Sequence, residues 1–259
     1  MPRPPDQALH RQRELMGMLA RGDRLSTVRL ASRLAVTPMT IRRDLDALQR
    51  DGALVRTHGG AVTPRRITFA FAFEKRRQRH LAEKRRLGAE AAQRVRSGQT
   101  VFLDTGTTTL EVARSLVARA LPCRVATSSL VVASILWGRP PVELILLGGR
   151  VRQGSPDLVG PGTEVMLDKL GADIAFVGSE GLDPALGSYA EDPEAARVTR
   201  RMAADARRVV CVADASKLNR TGPVRCLALS DLDELITDRT ADRSLVAELR
   251  ARGVHVCLV

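Results

Sequence analysis

The sequence predicts an α/β protein built in two parts. Up to residue 64, three short helical patterns follow one another and a small hairpin succeeds them. From residue 97 onward, apolar runs of four to six residues alternate with helical segments, which is typical of a mainly parallel, Rossmann-like sheet. We therefore expect a small domain over 1–64, a basic linker and connecting helix over 65–96, and an α/β domain over 97–259.

The first two helical patterns cover residues 9–20 and 26–34, and each carries apolar residues at helical spacing. Ser26 suits the start of the second helix, because a serine hydroxyl in that position accepts a hydrogen bond from a backbone N–H that the helix leaves unpaired. Gly22 and Asp23 separate the two helices, and Ala35-Val36 makes a tight connection into a third.

The third helix is predicted to begin with Thr37 as its N-cap and Pro38 in its first position. Its buried face, at positions i, i+4 and i+7, consists of Ile41, Leu45 and Leu48. The other face carries Met39, Arg42, Arg43 and Asp46. Guanidinium groups pair bidentately with guanine in the major groove, so this face is expected to read DNA. An arginine pair taken alone more often marks a solvated helix face, and it is the helix cap, the spacing and the wing together that favour DNA contact.

Residues 54–62 follow the third helix and predict a small hairpin that carries Arg56 and His58. Asp51-Gly52 ends the helix, since glycine adopts a left-handed helix end at low cost. A hairpin beside a basic third helix is a wing that would lie along the phosphates. The N-terminal part is therefore predicted to be a winged helix-turn-helix.

The stretch Thr40-Ile41-Arg42-Arg43-Asp44-Leu45, followed by Gly52, Arg56 and His58-Gly59-Gly60-Ala61, resembles the winged helix-turn-helix of the DeoR family of bacterial transcriptional regulators. The resemblance implies that Thr40, the arginine pair and the wing face double-stranded DNA. With the helix caps, the residues expected at DNA are Ser26, Thr37, Met39, Thr40, Arg42, Arg43, Arg56 and His58.

The distribution of charge agrees with a DNA-binding N-terminal part. Residues 1–64 carry 11 basic and 6 acidic residues, residues 65–96 carry 11 and 3, and residues 97–259 carry 19 and 20. The whole excess of +12 therefore lies in the first 96 residues, which suggests an anionic polymer as the partner of that part alone. A membrane surface would also attract this charge, but no apolar run approaches the roughly 20 residues that span a bilayer.

The amino-acid composition excludes several other classes of protein. Aromatic residues make up 3% of the chain, which argues against single-stranded nucleic acid, whose binders stack bases on aromatic rings. The four cysteines show no C-x-x-C spacing, so the sequence indicates neither a zinc site nor a disulfide framework, and no cofactor is expected. Cys211 and Cys257 lie in apolar runs and are expected in the core. With no signal-peptide pattern, a cytoplasmic protein is expected.

The segment over 65–96 is expected to connect the two parts. Phe69, Phe71 and Phe73 alternate with small residues and are expected to pack on something, which could be a partner subunit. A charge-rich helical pattern follows over 74–95. For Lys84-Arg85-Arg86 a solvated helix face is favoured over direct DNA contact.

Seven candidate strands follow. They are Thr100–Asp104, Arg124–Thr127, Val142–Leu147, Ile174–Gly178, Val209–Asp214, Glu234–Thr237 and Val254–Val259. Most are continuous Val, Ile, Leu, Ala and Cys runs, as is typical of strands that are buried on both faces. Ligands of such sheets bind beyond the carboxyl ends of the strands.

Those carboxyl ends carry hydroxyls, glycines and charged side chains. Thr107-Thr108, at the start of a helix, offers free N–H groups to a phosphate, with Lys217 or Arg150 as the counter-charge. Asp104 and Glu180 could accept hydrogen bonds from sugar hydroxyls. The residues expected at this effector site are Asp104, Gly106, Thr107, Thr108, Ser128, Gly149, Arg150, Glu180 and Lys217.

The same turns also resemble, in order, the sensor domain of the DeoR family. They are the Asp-x-Gly-Thr-Thr turn at Asp104, the Gly148-Gly149 turn, the Gly178-x-x-Gly181 turn and the Asp-x-Ser-Lys end at Lys217. The resemblance implies a fold similar to ribose-phosphate isomerases and CoA transferases, with a phosphorylated sugar or related metabolite as the effector. The expected protein is a repressor of carbohydrate-metabolism genes that acts as a dimer or a larger homo-oligomer.

Two other classes of function are weighed against a regulator. An isomerase-like enzyme could use Glu180 or Asp104 with Lys217, but the turn after the fourth strand offers one carboxylate only, and a DNA-binding domain would be idle on such an enzyme. A nonspecific nucleoid protein would not need a nearly neutral ligand-binding domain. Both are therefore disfavoured.

Overall fold

The computed structural model describes residues 5–20, 26–50, 54–57, 60–62, 73–74, 76–152 and 155–259. These residues form two compact units, one that extends up to Arg76 and one made of Arg77–Arg152 and Pro156–Val259. Each unit has its own hydrophobic core and is described by itself.

The N-terminal unit contains three helices and a hairpin. The elements are α1 (Pro5–Ala20), α2 (Thr27–Arg33), α3 (Pro38–Arg50), β1 (Val55–Thr57) and β2 (Gly60–Val62). The two strands pair antiparallel, with Arg56 opposite Ala61, so the predicted hairpin is confirmed. The core contains Leu15, Leu30, Ile41, Leu45, Leu48 and Leu54. The helix α1 begins at Pro5, earlier than predicted, because proline has the backbone angle of a first helical turn.

The predicted helix caps are confirmed. Ser26 Oγ accepts a hydrogen bond from the backbone N–H of Arg29 at 3.4 Å, and Thr37 Oγ1 accepts one from Thr40 at 3.2 Å. Between these two helices Ala35 has φ +52°, which turns the chain sharply from α2 into α3. The Ser26 cap fixes where α2 begins, and the Thr37 cap fixes where α3 begins.

The C-terminal unit begins with α4 (Leu81–Ala92) and continues through the elements of an α/β sheet. These are β3 (Thr100–Leu103), α5 (Thr107–Arg119), β4 (Cys123–Thr127), α6 (Leu130–Leu136), β5 (Val142–Leu146), β6 (Arg150–Val151), β7 (Leu158–Val159), α7 (Pro161–Asp168), β8 (Ile174–Val177), β9 (Gly181–Asp183), β10 (Gly187–Ala190), α8 (Pro193–Ala204), β11 (Val209–Val212), β12 (Val224–Arg225), β13 (Glu234–Thr237), α9 (Arg243–Ala251) and β14 (His255–Leu258). Short 3₁₀ turns lie at Ala215–Lys217 and Leu229–Asp231.

Seven of these strands form one parallel sheet in the order β14-β13-β11-β8-β3-β4-β5. All seven predicted strands are confirmed, and their ends differ from the prediction by two residues at most. From β3 the chain moves outward to β5, then returns to β8 and continues outward on the other side. The junction of β3 and β8 is therefore the topological switch point, where ligands bind in sheets of this kind.

Two smaller sheets lie outside the main sheet and were not predicted. The antiparallel strands β12-β10-β9 form one, and the hairpin β6-β7 forms the other. Their strands are two to four residues long, which is too short for the alternation that identifies a strand in a sequence. Both follow a strand of the main sheet at its carboxyl end, so they add side chains around the switch point.

The connecting segment differs from the prediction in two respects. Residues 73, 74 and 76–78 are helical, but His80 has φ +53° and divides the helical pattern predicted over 74–95, so that α4 begins at Leu81. Lys84 was predicted on a solvated face together with its two neighbours, and this is wrong for Lys84. It is buried, and its Nζ donates to the carbonyl oxygen of Arg79 at 2.8 Å, whereas Arg85 and Arg86 are exposed.

The phenylalanines of this segment are only partly described. Phe69 and Phe71 lie outside the described residues, and Phe73 is half-buried. The prediction that the three side chains pack together on a surface therefore stays a prediction.

A buried ion cluster ties α4 to the amino end of the sheet. Glu234, the first residue of β13, is fully buried and contacts Arg94 Nη2 at 2.7 Å and Arg208 Nη2 at 2.6 Å. Because Arg94 lies directly after α4, this contact fixes the helix against the sheet. The cluster lies at the opposite edge from the carboxyl ends of the strands, so we assign it a structural role.

Candidate functional site

The exposed face of α3 carries the residues that the sequence predicted at DNA. Arg42, Arg43 and Asp46 are exposed, and Met39 is 56% exposed. Ile41 and Leu45 are fully buried on the opposite side. Within the described residues, neither arginine of the pair forms an ion pair or a side-chain hydrogen bond, so both guanidinium groups face outward with all their donors available.

The two threonines of α3 pair with each other. Thr37 Oγ1 and Thr40 Oγ1 lie 2.9 Å apart, in addition to the cap between Thr37 and the backbone of Thr40. Thr37 is exposed and Thr40 is half-buried. The predicted wing residue Arg56 lies in β1, and His58 lies outside the described residues.

Asp44 is a residue of this helix whose role sequence reasoning missed. It is buried, and its carboxylate accepts hydrogen bonds from Arg11 at 2.5 Å (Nε to Oδ2) and 3.0 Å (Nη2 to Oδ1). This hydrogen bonding raises the pKa of Arg11 above its usual value. Asp44 follows Ile41 by three residues and so shares the buried face, which is the signal that could have found it. The contact between Arg11 and Asp44 fixes α1 against α3. Because Asp44 binds Arg11, it does not form an ion pair with Arg42 or Arg43.

The second candidate site lies at the switch point of the sheet. Phe102 pairs with Ala126 and Leu103 with Phe176 in the strand register, so Asp104 and Ser128 leave their strands at the same level, next to the end of β8. The backbone N–H of Gly178 donates to Asp104 Oδ2 at 3.2 Å, and Thr199 Oγ1 donates to Asp104 Oδ1 at 3.2 Å.

Asp104 titrates close to neutral pH. Burial raises the pKa of its carboxyl to about 6, and the nearby charge of Asp157 acts in the same direction. Hydrogen bonds from the backbone of Thr105 and Gly178 and from Thr199 oppose the increase. A carboxylate at this place accepts hydrogen bonds from a ligand when it is deprotonated.

The N-terminus of α5 adjoins Asp104. Gly106 has φ +143°, a backbone conformation that favours glycine, and no side chain caps the helix. Thr107 and Thr108, the first two residues of the helix, are half-buried. The positive end of the helix dipole and the first backbone N–H groups are therefore directed at the switch point, which is an arrangement that binds anions.

The two charged residues on the neighbouring strand ends contact each other. Lys217 Nζ lies 2.7 Å from Glu180 Oε2, and both side chains are partly exposed. Asp214 Oδ1 accepts a hydrogen bond from the backbone of Ser216 at 3.2 Å and so orders the turn that carries Lys217. An anionic ligand near Lys217 would share its ammonium group with Glu180 or displace Glu180.

The Gly148-Gly149 turn after β5 packs tightly against Thr163, and the predicted counter-charge Arg150 follows it. Gly149 has φ +131°, and a side chain there would meet Thr163, whose Oγ1 donates to the carbonyl oxygen of Gly148 at 2.6 Å. Arg150 is exposed and forms an ion pair with Glu194. The predicted counter-charge is thus already paired on the surface.

Arg152 was not predicted at the site, yet it is the less exposed of the two arginines in this segment. Its Nη2 lies 2.7 Å from Asp157 Oδ2, and its Nη1 lies 3.5 Å from Asp192 Oδ2. Burial lowers the pKa of this guanidinium, but its hydrogen bond to Asp157 and the charges of Asp157, Asp192 and Glu191 outweigh burial and raise the pKa overall.

The sheet order therefore brings most predicted effector residues onto successive strand ends. Along β4, β3, β8 and β11 they are Ser128, then Asp104 with Gly106, Thr107 and Thr108, then Glu180, then Lys217. Gly149 and Arg150 follow β5 at the edge of the sheet. The arrangement can bind an anion at α5 and hydroxyl groups at the carboxylates.

The cysteines are mostly buried in the C-terminal unit. Cys123, Cys211 and Cys226 are buried, and burial raises the pKa of Cys211 to about 12. Cys257 was expected in the core but is only half-buried, because it lies on the outermost strand of the sheet. Among the described residues, no cluster of His, Cys, Asp and Glu could hold a metal ion. Over the same part of the chain, none of the helices combines the length and apolar character needed to cross a bilayer.

Comparison with known proteins defines the class. A model of the DeoR-like helix-turn-helix domain matches residues 11–66, and a model of the DeoR C terminal sensor domain matches residues 79–239. The protein is a DNA-binding transcriptional regulator. It belongs to the DeoR family.

Relatives match along almost their whole length. The HTH-type transcriptional regulator GlpR of Haloferax volcanii is 33% identical over 246 residues, which cover 95% of this chain and 96% of that protein. The HTH-type transcriptional repressor GlcR of Bacillus subtilis is 31% identical and covers 93% of each chain. The glycerol-3-phosphate regulon repressor of Escherichia coli K12 is 30% identical and covers 90% of this chain and 91% of its own.

Solved structures with a distant likeness include ribose 5-phosphate isomerase A. The enzyme from Neisseria gonorrhoeae matches 52% of each chain with 18% identity and a TM-score of 0.40. The enzyme from Methanocaldococcus jannaschii matches 54% of this chain and 55% of its own with 19% identity and a TM-score of 0.42.

Proposed function

We propose that this protein is a repressor of carbohydrate-metabolism genes, and that a phosphorylated sugar bound at the switch point of the C-terminal sheet releases it from its operator. The observation that carries the proposal is the presence of two separate sites in one regulator chain. One is the exposed arginine pair of α3, and the other is the uncapped N-terminus of α5 beside Asp104.

In the DNA-bound state, we place α3 in the major groove. Arg42 and Arg43 contact base edges, and Thr37, Thr40, Met39 and Ser26 lie where the helix and its neighbour approach the duplex. The wing with Arg56 and His58 contacts phosphates. Arginine suits the base-reading role because its planar group makes two parallel hydrogen bonds to guanine.

In the effector-bound state, we place the phosphate at the backbone N–H groups of Gly106, Thr107 and Thr108. Lys217 approaches it as the counter-charge, and its contact with Glu180 loosens. The helix dipole and the ammonium group both favour an anion there. One relative is named as a glycerol-3-phosphate regulon repressor, and this name supports the proposal that the effector is phosphorylated.

Release requires communication with the DNA-binding domains of more than one chain. We propose a dimer or a tetramer, because an operator with two half-sites gives specificity only when the two recognition helices have a fixed spacing. A ligand that binds one spacing better than the other shifts the equilibrium between them. The protein acts in the cytoplasm, where chromosomal DNA and phosphorylated sugars are both present.

We further propose that the chain is not an enzyme. Glu180 is the single carboxylate of the turn after β8, and its contact with Lys217 occupies it. The relatives that match nearly the full chain are named as regulators. Incubation of the purified protein with ribose 5-phosphate should yield no ribulose 5-phosphate, and turnover would contradict this part of the proposal.

Fluorescence anisotropy tests the effector site. DNA from upstream of the gene for this protein is titrated with the full chain, with and without a panel of sugar phosphates. One compound should lower the affinity at least tenfold. The Lys217→Gln variant should need about tenfold more of that compound, since a charged hydrogen bond is lost, whereas Lys169→Gln, a change in the C-terminal unit outside the proposed site, should not. Equal responses of the two variants would contradict the proposed phosphate site.

A further inference from the structure

Two buried polar atoms near the switch point have no hydrogen-bond partner within the described residues. They are Ser128 Oγ, on a residue that is 1% exposed, and Arg152 Nε. A buried polar group without a hydrogen-bond partner destabilises the folded state, so such atoms are rare and need an explanation. A ligand that supplies the missing partner is one explanation with a chemical consequence.

The two atoms belong to segments that are hydrogen-bonded to each other. The backbone N–H of Leu158 donates to the carbonyl oxygen of Ser128 at 2.8 Å, which joins the hairpin β6-β7 to the end of β4. Arg152 donates from its backbone N–H to the carbonyl oxygen of Asp157 at 2.8 Å and from Nη2 to the carboxylate of the same residue at 2.7 Å. Ser129 and Asp157 are bridge partners. Ser128 and Arg152 are thus held on either side of Asp157.

Asp104 completes this cluster. The strand register places it level with Ser128, and the charge of Asp157 helps to raise the pKa of its carboxyl. The cluster therefore combines one hydroxyl, one guanidinium with an unused N–H, and two carboxylates that lie between β3, β4 and the hairpin.

The balance of charge at this cluster does not favour an anion. Arg152 is surrounded by the charges of Asp157, Asp192 and Glu191, and Asp104 adds a fourth carboxylate nearby. One guanidinium does not neutralise four carboxylates, so a phosphate here would meet net repulsion. A hydroxyl group is neutral, accepts a hydrogen bond from Nε–H and donates one to a carboxylate or to Ser128.

We propose that Ser128 and Arg152, with Asp104, bind a hydroxyl group of the effector and so determine its specificity. This inference rests on the proposed function, because it takes the phosphate to lie at α5. The effector class is then a phosphorylated polyhydroxy compound, one of whose hydroxyl groups reaches Ser128 and Arg152 while its phosphate lies at α5. A deoxy analogue leaves Ser128 Oγ and Arg152 Nε unpaired and is rejected on that account.

Isothermal titration calorimetry of the full chain with matched compounds tests the inference. The probes are ribose 5-phosphate, glucose 6-phosphate and fructose 6-phosphate, each compared with its monodeoxy analogues. At least one hydroxylated compound should bind about tenfold or more tighter than one of its deoxy analogues. If the wild-type protein binds no probe, or shows no such preference, the inference is overturned.

Variants then assign the preference to residues. Ser128→Ala and Arg152→Gln should each reduce the affinity ratio toward one, mainly by weakening the hydroxylated compound. Ser134→Ala and Arg139→Gln are the matched controls, because Ser134 and Arg139 are exposed and lie outside the proposed site, and they should preserve the ratio. If Arg152→Gln does not fold, Ser128→Ala decides the question, since it removes one oxygen atom only. An unchanged ratio in Ser128→Ala overturns the inference.

Release from the operator is measured separately from the binding of the compounds. If the preference is present and depends on Ser128 but no compound releases the operator, the proposed function fails and the specificity site stands. If a compound releases the operator but the ratio is unchanged in Ser128→Ala, the specificity site is wrong and the proposed function stands.

Discussion

Gly178 donates its backbone N–H to the carboxylate of Asp104 at 3.2 Å and so joins the carboxyl ends of β8 and β3 at the topological switch point. This hydrogen bond orients a buried carboxylate in the place where a parallel sheet binds its ligand. Ser128 and the N-terminus of α5 flank the same carboxylate. The contact is therefore the geometric centre of the proposed effector site.

The burial of Asp104 predicts a specific dependence of stability on pH. Its pKa is about 6 in the folded state against an ordinary value of 3.8, so the folded protein binds this proton more tightly than the unfolded chain. The resulting stabilisation is fully present below pH 3.8 and is lost as the pH rises through 6. It amounts to about 3 kcal/mol.

Urea unfolding at several pH values between 4 and 7 measures this effect. Relative to Asp104→Asn, the wild type should lose about 2.4 kcal/mol of unfolding free energy from the bottom to the top of that range. Asp231→Asn, a change at an exposed aspartate, should follow the wild type. Parallel curves for wild type and Asp104→Asn would show that Asp104 does not titrate as described.

The ion pair between Arg11 and Asp44 predicts that Asp44, an acidic residue of α3, stabilises the N-terminal unit. Asp44→Ala leaves the guanidinium of Arg11 without its partner in a place where its side chain is 13% exposed. Unfolding of the N-terminal unit, followed by hydrogen exchange, should become easier by about 3 kcal/mol. Gln49→Ala, a change at an exposed residue of the same helix, should cost less than about 0.5 kcal/mol. Equal effects of the two changes would contradict the assignment.

The exposed arginine pair predicts a loss of sequence preference on DNA. Arg43→Ala should weaken operator binding by about 1–3 kcal/mol and weaken binding to random DNA less, because base contacts carry the specificity. The same is expected of Arg42→Ala. Arg139→Ala, which removes an exposed arginine of the C-terminal unit, serves as the control and should change neither. Equal losses on operator and random DNA would mean that the pair contacts phosphates only.

The tight packing around Gly149 predicts that replacing it by alanine destabilises the folded protein. An added Cβ would lie 2.1 Å from Thr163 Oγ1 and 2.9 Å from the carbonyl oxygen of Val159, and the backbone has φ +131°. Gly149→Ala should therefore lower the free energy of unfolding by about 3 kcal/mol or more. Gly253→Ala is the matched control, since φ is +94° but nothing lies within 4 Å, and it should cost about 1 kcal/mol. Thermal unfolding of both variants makes the comparison.

The main sheet and the helix-turn-helix could be predicted from the sequence because their signals are local. Strands that are buried on both faces consist of continuous apolar residues, as in Val209–Val212, and caps such as Thr37 mark where helices begin. The order of the strands was not predicted, but in the structure it places most of the predicted site residues on successive strand ends.

The contacts that bury charged side chains were not predicted. Asp44 is buried because Arg11 lies opposite it, 33 residues earlier, and Lys84 is buried because the chain turns at His80 and presents the carbonyl oxygen of Arg79. Arg152 is held in place by Asp157 of the same hairpin and by Asp192 on another segment. In each case a charged residue is partly or fully buried beside a partner that the local pattern does not reveal.

Footprinting on the DNA upstream of the gene for this protein tests the central claim most directly. The full chain should protect two half-sites separated by about one helical turn or a multiple of it, and one phosphorylated sugar should abolish that protection. Protection of scattered sequences without a preferred site, or protection that no sugar phosphate changes, would contradict the account of an effector-released repressor.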